Sequence, residues 1–495
     1  MALCAIAVLW PRRLLAAAIL CSPFEGVALA SPGGLGISPF SFALVLVAGR
    51  SLLVRTESQF FLGRTPRVRV IVGLALVLTS ISLAGAVVLP RLFAGIPVMS
   101  PRLSVDAVAP LVGSASNLGQ AAYLLVNVTL LWHVAQRRDA PEVARDAVAA
   151  FRIAGAIVVF FGLYQLASAW TGIPFPDDLL YSNEQFVMQH GTAILDMPRI
   201  CSTFTEPAGM AVFLLGFLAF GIAAPTAPPV RFQHLRTAGR LILIALTVFI
   251  LVMSTSSTAY IGLAGLTAWT LFRVLVLPCW TGRWSLTAIG FSVGAVAIVA
   301  SAVMLDGTLH DAIEKTVFEK NDSDSYSERS DADQFAYQLD GSTWGLGVGL
   351  GSNRASGFLP SLLSTIGIYG TATFALLIFQ ALRPLPVKAE IGGDDASAKA
   401  ALSMALLGII GAKLISSPDF STPSMWAALA GLLAVISATE TSAKEAHATT
   451  AGLPPGSARR HRSIAPYIFD DPQGIPAGLI DAGFRSTRDS RGDPA

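Results

Sequence analysis

Charge is scarce in this chain. Only 13% of its 495 residues are Asp, Glu, Lys or Arg, against 53% hydrophobic residues. Soluble globular domains carry about 25% charge, so a water-soluble fold is excluded. Cysteine is sparse too: Cys4, Cys21, Cys201 and Cys279 are scattered, with no CxxC pair and no metal spacing, and read as inert. No Walker A motif is present, which removes the parts of an ATP-driven pump. Segments of about ten residues alternating apolar and polar are missing, which excludes a β-barrel. A net charge of +2 is too small to argue for nucleic acid.

What is there is a succession of apolar stretches, each near the roughly 20 residues that cross a bilayer. They fall at about 13–30, 37–54, 68–90, 108–135, 148–170, 206–224, 239–254, 257–276, 285–305, 358–381, 400–417 and 422–439. The fold expected is all-α: a polytopic membrane protein of about 11–12 transmembrane helices over 1–439. The N-terminus reads two ways. Arg12-Arg13, an apolar stretch and Ala28-Leu29-Ala30 resemble a secretory signal, but Pro23 and Glu25 interrupt the run. A retained first span is the expectation.

The connections sort by charge. One set carries Arg50, Arg55, Arg64, Arg67 and Arg69; Arg137, Arg138, Arg145 and Arg152; Arg231, Arg236 and Arg240; Arg273 and Arg283; Arg383 and Lys388. These alternate with acidic or short connections, and the positive-inside rule assigns them to the cytoplasm. Both termini then lie inside, and the Pro-, Gly- and Ser-rich tail 440–495 reads as disordered. Facing outward are the loop 171–205, the turn Ser254-Thr255-Ser256-Ser257 and the long polar loop 306–357. In a bacterial inner membrane that face is the periplasm, which holds no nucleotide pool.

The long loop is the main polar interruption of the chain. Leu309, Ile313 and Val317 recur at helical spacing, and a second helix starting near Ser327 or Ser330 would turn Phe335 and Leu339 inward. The candidate site residues each have a plainer alternative. Glu206, followed by Pro207, stands where a helix begins and could simply cap it. Arg199 and Arg354 could be surface anchors, although arginine on the outer face runs against the charge bias. Arg329, among Glu328, Asp331 and Asp333, could belong to a salt-bridged helix face. Lys413 lies inside a span within reach of Asp419, and ionisable groups at that depth are costly and often functional.

Taken together, these segments resemble the O-antigen ligase and polymerase superfamily. Arg199-Ile200-Cys201-Ser202-Thr203-Phe204-Thr205-Glu206-Pro207 resembles its Arg-x-x-(Gly/Ser)-Thr-Phe-x-(Glu)-Pro segment, and the serine-rich stretch Met253–Leu263 follows. Its Ser-x-x-Arg loop segment is matched by Ser325–Arg329 or Ser327–Arg329. Next come Gly347-Val348-Gly349-Leu350-Gly351 and Ile366-Gly367-Ile368-Tyr369-Gly370. The resemblance covers about 110–380. It implies glycan transfer from an undecaprenyl-diphosphate carrier, without metal or nucleotide cofactor, with membrane lipid, a chain-length regulator and a repeat-unit flippase as partners and no nucleic acid. The ligases of the superfamily carry a histidine near the end of the large loop. Here Ser352-Asn353-Arg354-Ala355-Ser356-Gly357 has none, which favours a polymerase.

The chemistry fits the residue types. A glycoside leaving group needs protonation by a carboxylic acid, whereas a diphosphate leaves as an anion and needs charge neutralisation. Arginine binds phosphate oxygens bidentately and stays charged. The expected roles are Arg199 and Arg329 on the leaving diphosphate and Glu206 as general base, with Arg354, Ser327, Asp331, Asp333 and Lys413 binding substrate. Two other classes stay open: a transporter or lipid-carrier flippase, and a non-catalytic scaffold. Within the superfamily, a ligase acting on a lipid or protein acceptor stays open.

Overall fold

The computed structural model describes residues 2–31, 36–53, 62–99, 108–183, 188–189, 191–194, 197–223, 233–275, 294, 324–384 and 393–451. Among these, six helices are long and apolar enough to cross a membrane and three shorter ones are apolar, which makes the chain a multi-pass membrane protein. In chain order the helices are α1 (Ala2–Leu9), α2 (Leu14–Cys21), α3 (Pro39–Leu53), α4 (Pro66–Leu92), α5 (Ala115–Ala135), α6 (Ala140–Thr171) and the short α7 (Asp177–Leu180). There follow α8 (Pro207–Ala223), α9 (Gln233–Met253), α10 (Ser257–Leu275), α11 (Asp324–Ser342), α12 (Phe358–Leu382), α13 (Gly393–Ser416) and α14 (Pro423–Ala451). Two small hairpins, β1 (Pro97–Met99) with β2 (Val108–Pro110) and β3 (Ala193–Ile194) with β4 (Met197–Pro198), are antiparallel. Residues Met1–Lys444 form one compact unit and Glu445–Ala495 another.

The stretch expected as the first span, 13–30, is helical only over α2. Pro23, just after the Ser22 cap, cannot continue the helix, and 22–28 has no regular structure. The expected span 285–305 apart from residue 294, the segment around Leu309, Ile313 and Val317, and the tail beyond 451 lie outside the described residues.

Local sequence sets the helix ends. Thr65 caps α4, its hydroxyl accepting from Val68 N–H at 3.4 Å, with Pro66 in the first position. Asn117 Oδ1 accepts Ser114 N–H at 2.8 Å in a capping box that starts α5. Central in the bundle is α14: 89% of its apolar window is buried, against 39–50% for the other five long spans. A helix apolar on every side belongs in such a position.

α8 and α13 meet at two glycines. A Cβ on Gly408 would lie 3.0 Å from Gly216 Cα, the close approach that small residues permit between membrane helices. The two helices run antiparallel from that point. At about 1.5 Å per residue, Lys413 on α13 sits roughly 7 Å deeper in the bundle than Glu206 at the head of α8.

Helix α12 is broken. Gly367 inside it has φ 68° and ψ −177°, so the helical hydrogen bonds lapse there. Residues 345–349 supply the missing partners. Val348 N–H donates to Ser364 O (2.8 Å), Gly349 N–H to Thr365 O (2.9 Å), and Ile368 N–H to Gly345 O (2.8 Å). Each such group left unpaired in hydrocarbon costs several kcal/mol, so the glycine run is a structural seam. It also lies hard against its neighbours: Gly349 has φ 93°, and a Cβ there would meet Gly85 O of α4 at 2.8 Å.

The bundle has two unlike ends. At one, Arg67 donates to Gln380 O (2.8 Å) and closes α12, while Arg12 pairs with Glu142 (3.0 Å) and Arg137 with Asp139 (2.6 Å). The other end collects the connections around 22–28, 93–99, the described parts of 172–206, 254–256, 343–357 and 417–422, and the candidate site lies there.

Replacing Gly349 by Ala should destabilise the protein by about 2 kcal/mol or more, through both strain and overlap. Gly119→Ala, in open space on α5, should be neutral or stabilise by about 0.5–1 kcal/mol. Thermal unfolding in detergent would compare them, and indistinguishable melting would show that the run is not a seam.

Candidate functional site

The segment leading into α8 is held by hydrogen bonds from neutral groups. Gln165 of α6 accepts both Cys201 N–H and Ser202 N–H on Oε1, each at 2.8 Å, and its Nε2 donates to the Tyr181 hydroxyl (3.2 Å). Tyr181 in turn donates to Ser202 O (2.9 Å), and the Ser202 hydroxyl donates to Val158 O (2.8 Å). This clamp holds Ser202 at φ 55°, an uncommon conformation for a residue with a side chain. It fixes Arg199 on one side and Glu206 on the other. Met210 N–H donates to Glu206 O, so Glu206 sits at the start of α8 as its sequence position suggests.

The same segment grips the chain after α2. Thr203 donates its hydroxyl to Pro23 O (2.6 Å), Gly26 N–H donates to Thr203 O (3.3 Å), and Asn183 Nδ2 donates to Glu25 O (3.3 Å). These bonds bring in a residue that the sequence did not mark for the site. The Glu25 carboxylate lies over the first turn of α8, where a Cβ on Gly209 would meet its Oε2 at 3.4 Å.

α11 closes the site from the loop side. Its buried face is Ala332, Phe335, Ala336 and Leu339, at helical spacing, and Leu339 packs with Phe93, Val98, Leu111 and Val348. Asp333 pins the helix down, Oδ1 accepting Ser356 N–H (2.7 Å) and Gly357 N–H (2.8 Å) at the head of α12. Ser327, Arg329 and Asp331 lie on the exposed face. Arg354 is exposed beyond the glycine run, its N–H donating to Met99 O (2.8 Å).

Lys413 is fully buried. Its Nζ donates to Ser417 Oγ (3.1 Å), to Asp419 O and to Thr422 Oγ1, and stands 4.8 Å from the centre of the Phe358 ring. All three ammonium donors are thus used to fold the turn between α13 and α14. The Asp419 carboxylate, expected as its partner, instead accepts Ser421 N–H (2.8 Å). The serine-rich turn is buried as well: Ser254, Thr255, Ser256 and Ser257 are all below a tenth exposed, and Thr258 bonds Ser416 at the end of α13.

The electrostatics join Arg199, Glu206 and Arg329. Burial raises the Glu206 carboxyl above the usual range, opposed by the charge of Arg329 and then of Arg199. Burial also lowers the Arg199 guanidinium, with Cys201 and Glu206 acting against the shift and Arg329 adding to it. None of the three forms a direct ion pair among the described residues, and Arg199 Nε is buried without a hydrogen-bond partner. Burial pushes the Cys201 thiol up to about 12, so it is no nucleophile. Glu25 is pushed up to about 8, first by burial and then by Asp419 and Glu206, with Lys413 opposing.

Of the expected site residues, Arg199, Glu206 and Arg329 act on one another electrostatically, Arg329 from the exposed face of α11, and the buried Lys413 acts on Glu25. Asp333 is bonded to backbone, while Ser327, Asp331 and Arg354 are exposed. Among the described residues no cluster of His, Cys, Asp and Glu could hold a metal ion. No protein-family model matches the chain, and no curated protein matches it.

A carboxyl kept neutral by the fold stabilises it at low pH, and that contribution fades as pH rises from the usual carboxylate range through about 8. Glu25→Gln should therefore melt with the wild type near pH 5 and several degrees above it at pH 9. Parallel melting profiles would mean that Glu25 is ionised throughout. Asp333→Ala should cost about 1–2 kcal/mol, as the loss of a helix cap does, whereas Asp333→Asn, which keeps the acceptor, should cost less.

Proposed function

We propose that this chain is a bacterial inner-membrane glycosyltransferase that polymerises undecaprenyl-diphosphate-linked repeat units into exopolysaccharide or O-antigen on the periplasmic side. The site end of the bundle is then periplasmic, the arginine end and both termini are cytoplasmic, and 440–495 is a cytoplasmic tail. The observation that carries the reading is the convergence of two arginines on one site without direct ion pairing, one of them with a buried N–H that nothing in the described protein accepts. An uncompensated guanidinium in a half-buried site suits an anion with several oxygens. The resemblance of Arg199–Pro207 and of the segments after it supplies the substrate class.

In the reaction, the acceptor hydroxyl attacks the anomeric carbon and the bond from that carbon to the diphosphate oxygen breaks. The electron pair leaves with the diphosphate, where Arg199 and Arg329 meet the growing charge. Glu206 lies in the field of both arginines and, without a direct bond to either, offsets part of their charge. One feature favours a transporter instead, the broken helix α12, since discontinuous helices often line transport sites. Here the groups freed at the break are bonded to 345–349 and are not open to a ligand, so the transfer reading is preferred.

Arg199→Ala and Arg329→Ala should each lower polymer formation by about 10²–10³-fold, the scale of losing one charge-stabilising donor. Lysine at either position should fail to restore it, because bidentate contact is lost. Polymer length on gels, from a deletion strain complemented with each variant, provides the check. Normal chains made by correctly inserted Ala variants would remove the proposal.

A further inference from the structure

Glu206 and Glu25 are two carboxylates at the head of one helix, in different surroundings. Glu206 lies in the field of both arginines. Among the described residues the cation that acts on Glu25 is Lys413, whose three donors are taken by Ser417, Asp419 and Thr422. The Glu25 carboxylate accepts no hydrogen bond and joins no ion pair among the described residues. Its backbone, in contrast, is fixed by Asn183 and by the Thr203 contacts to Pro23 and Gly26. The groups facing it are Asp419 from the α13–α14 turn, Glu206 from α8 and Lys413 from α13. Gly209 leaves the space in which its Oε2 lies. A carboxylate held by its backbone, with its oxygens unengaged, is equipped to exchange a proton with a ligand.

We propose that Glu25, and not Glu206, accepts the proton of the attacking hydroxyl, an assignment resting on the glycosyl-transfer reading above. As the oxygen–carbon bond forms and the carbon–diphosphate bond breaks, the hydroxyl proton passes to a Glu25 oxygen. The electron pair goes to the diphosphate at the arginines, and Glu25 then releases the proton to water. Two carboxylates thereby divide two tasks: Glu206 balances the charge of the guanidinium groups and Glu25 handles the proton. Burial and the two nearby carboxylates raise Glu25 to about 8, close to neutrality, the range in which a general base is most effective.

The test uses full-length protein in liposomes, supplied with lipid-linked oligosaccharide extracted from the deletion strain. Glu25→Gln should lower the maximal rate by about 10²–10⁴-fold at unchanged KM, the contribution of a general base. Glu25→Asp should restore part of it, which also shows that the loss is not misfolding. Glu206→Gln should raise KM for the donor and keep the rise of rate with pH. Dicyclohexylcarbodiimide, which modifies protonated carboxyls in apolar surroundings, should label Glu25 and stop transfer. A Glu25→Gln protein working at the wild-type rate, or one labelled at Glu25 yet fully active, overturns the assignment. If the arginine variants are also fully active, the transfer reading falls; if they are dead, that reading stands and only the base is misassigned.

Discussion

The structure depends on the mending of one broken membrane helix. Where α12 loses its helical bonding at Gly367, two carbonyls and an N–H need partners in a region that excludes water. Only chain closely applied to the break can provide them, and residues 345–349 do so. Bringing backbone that close to α4, α5 and α12 requires glycine at alternate positions. A Cβ on Gly351 would meet Ser116 O at 2.6 Å, and one on Gly349 would meet Gly85 O. Once the run is seated, the end of α11 is fixed, and Arg329 with it. Charge placement at one end of the bundle therefore follows from a backbone hydrogen-bond requirement well inside it.

On the other side of the site the positioning is also done by neutral groups. Gln165, Tyr181, Ser202 and Thr203 hold Arg199, Glu206 and Glu25 in place, while those charged groups form no direct pairs with one another among the described residues. The division is physically sensible. A salt bridge between Arg199 and Glu206 would satisfy both and leave little for a ligand, since a paired guanidinium must first be freed. Held a short distance apart by a rigid frame, the same charges keep their field and stay available.

Much of the helical architecture was legible because hydrophobic length is a local signal. The spans became helices wherever the chain is described, apart from the first, which Pro23 cuts short, and the start of the fourth, where 108–110 pairs as β2 and the helix begins only at Ala115. Arg199 and Glu206 stood out in the sequence because they share a short segment. Other features depended on contacts distant in sequence. Asp333 read as a ligand-binding acid beside Arg329, yet its partners are Ser356 and Gly357, more than twenty residues on. Lys413 read as a partner for the Asp419 carboxylate, whereas it bonds the carbonyl of that residue. Glu25 was visible only as an interruption in an apolar run. Its cost in that setting was a signal, but its nearness to Gly209 arises from hydrogen bonds that no spacing rule anticipates.

Glu25 and Lys413 also show why depth matters for the chemistry. Lys413 sits lower, with every donor satisfied and an aromatic face beneath it, so it supplies a fixed positive field without competing for ligand oxygens. Glu25 lies between that field and two anionic neighbours, Asp419 and Glu206. On the glycosyl-transfer reading, the opposing influences of Lys413 and of the two acids leave the Glu25 carboxyl responsive to charge that arrives at or leaves the arginines.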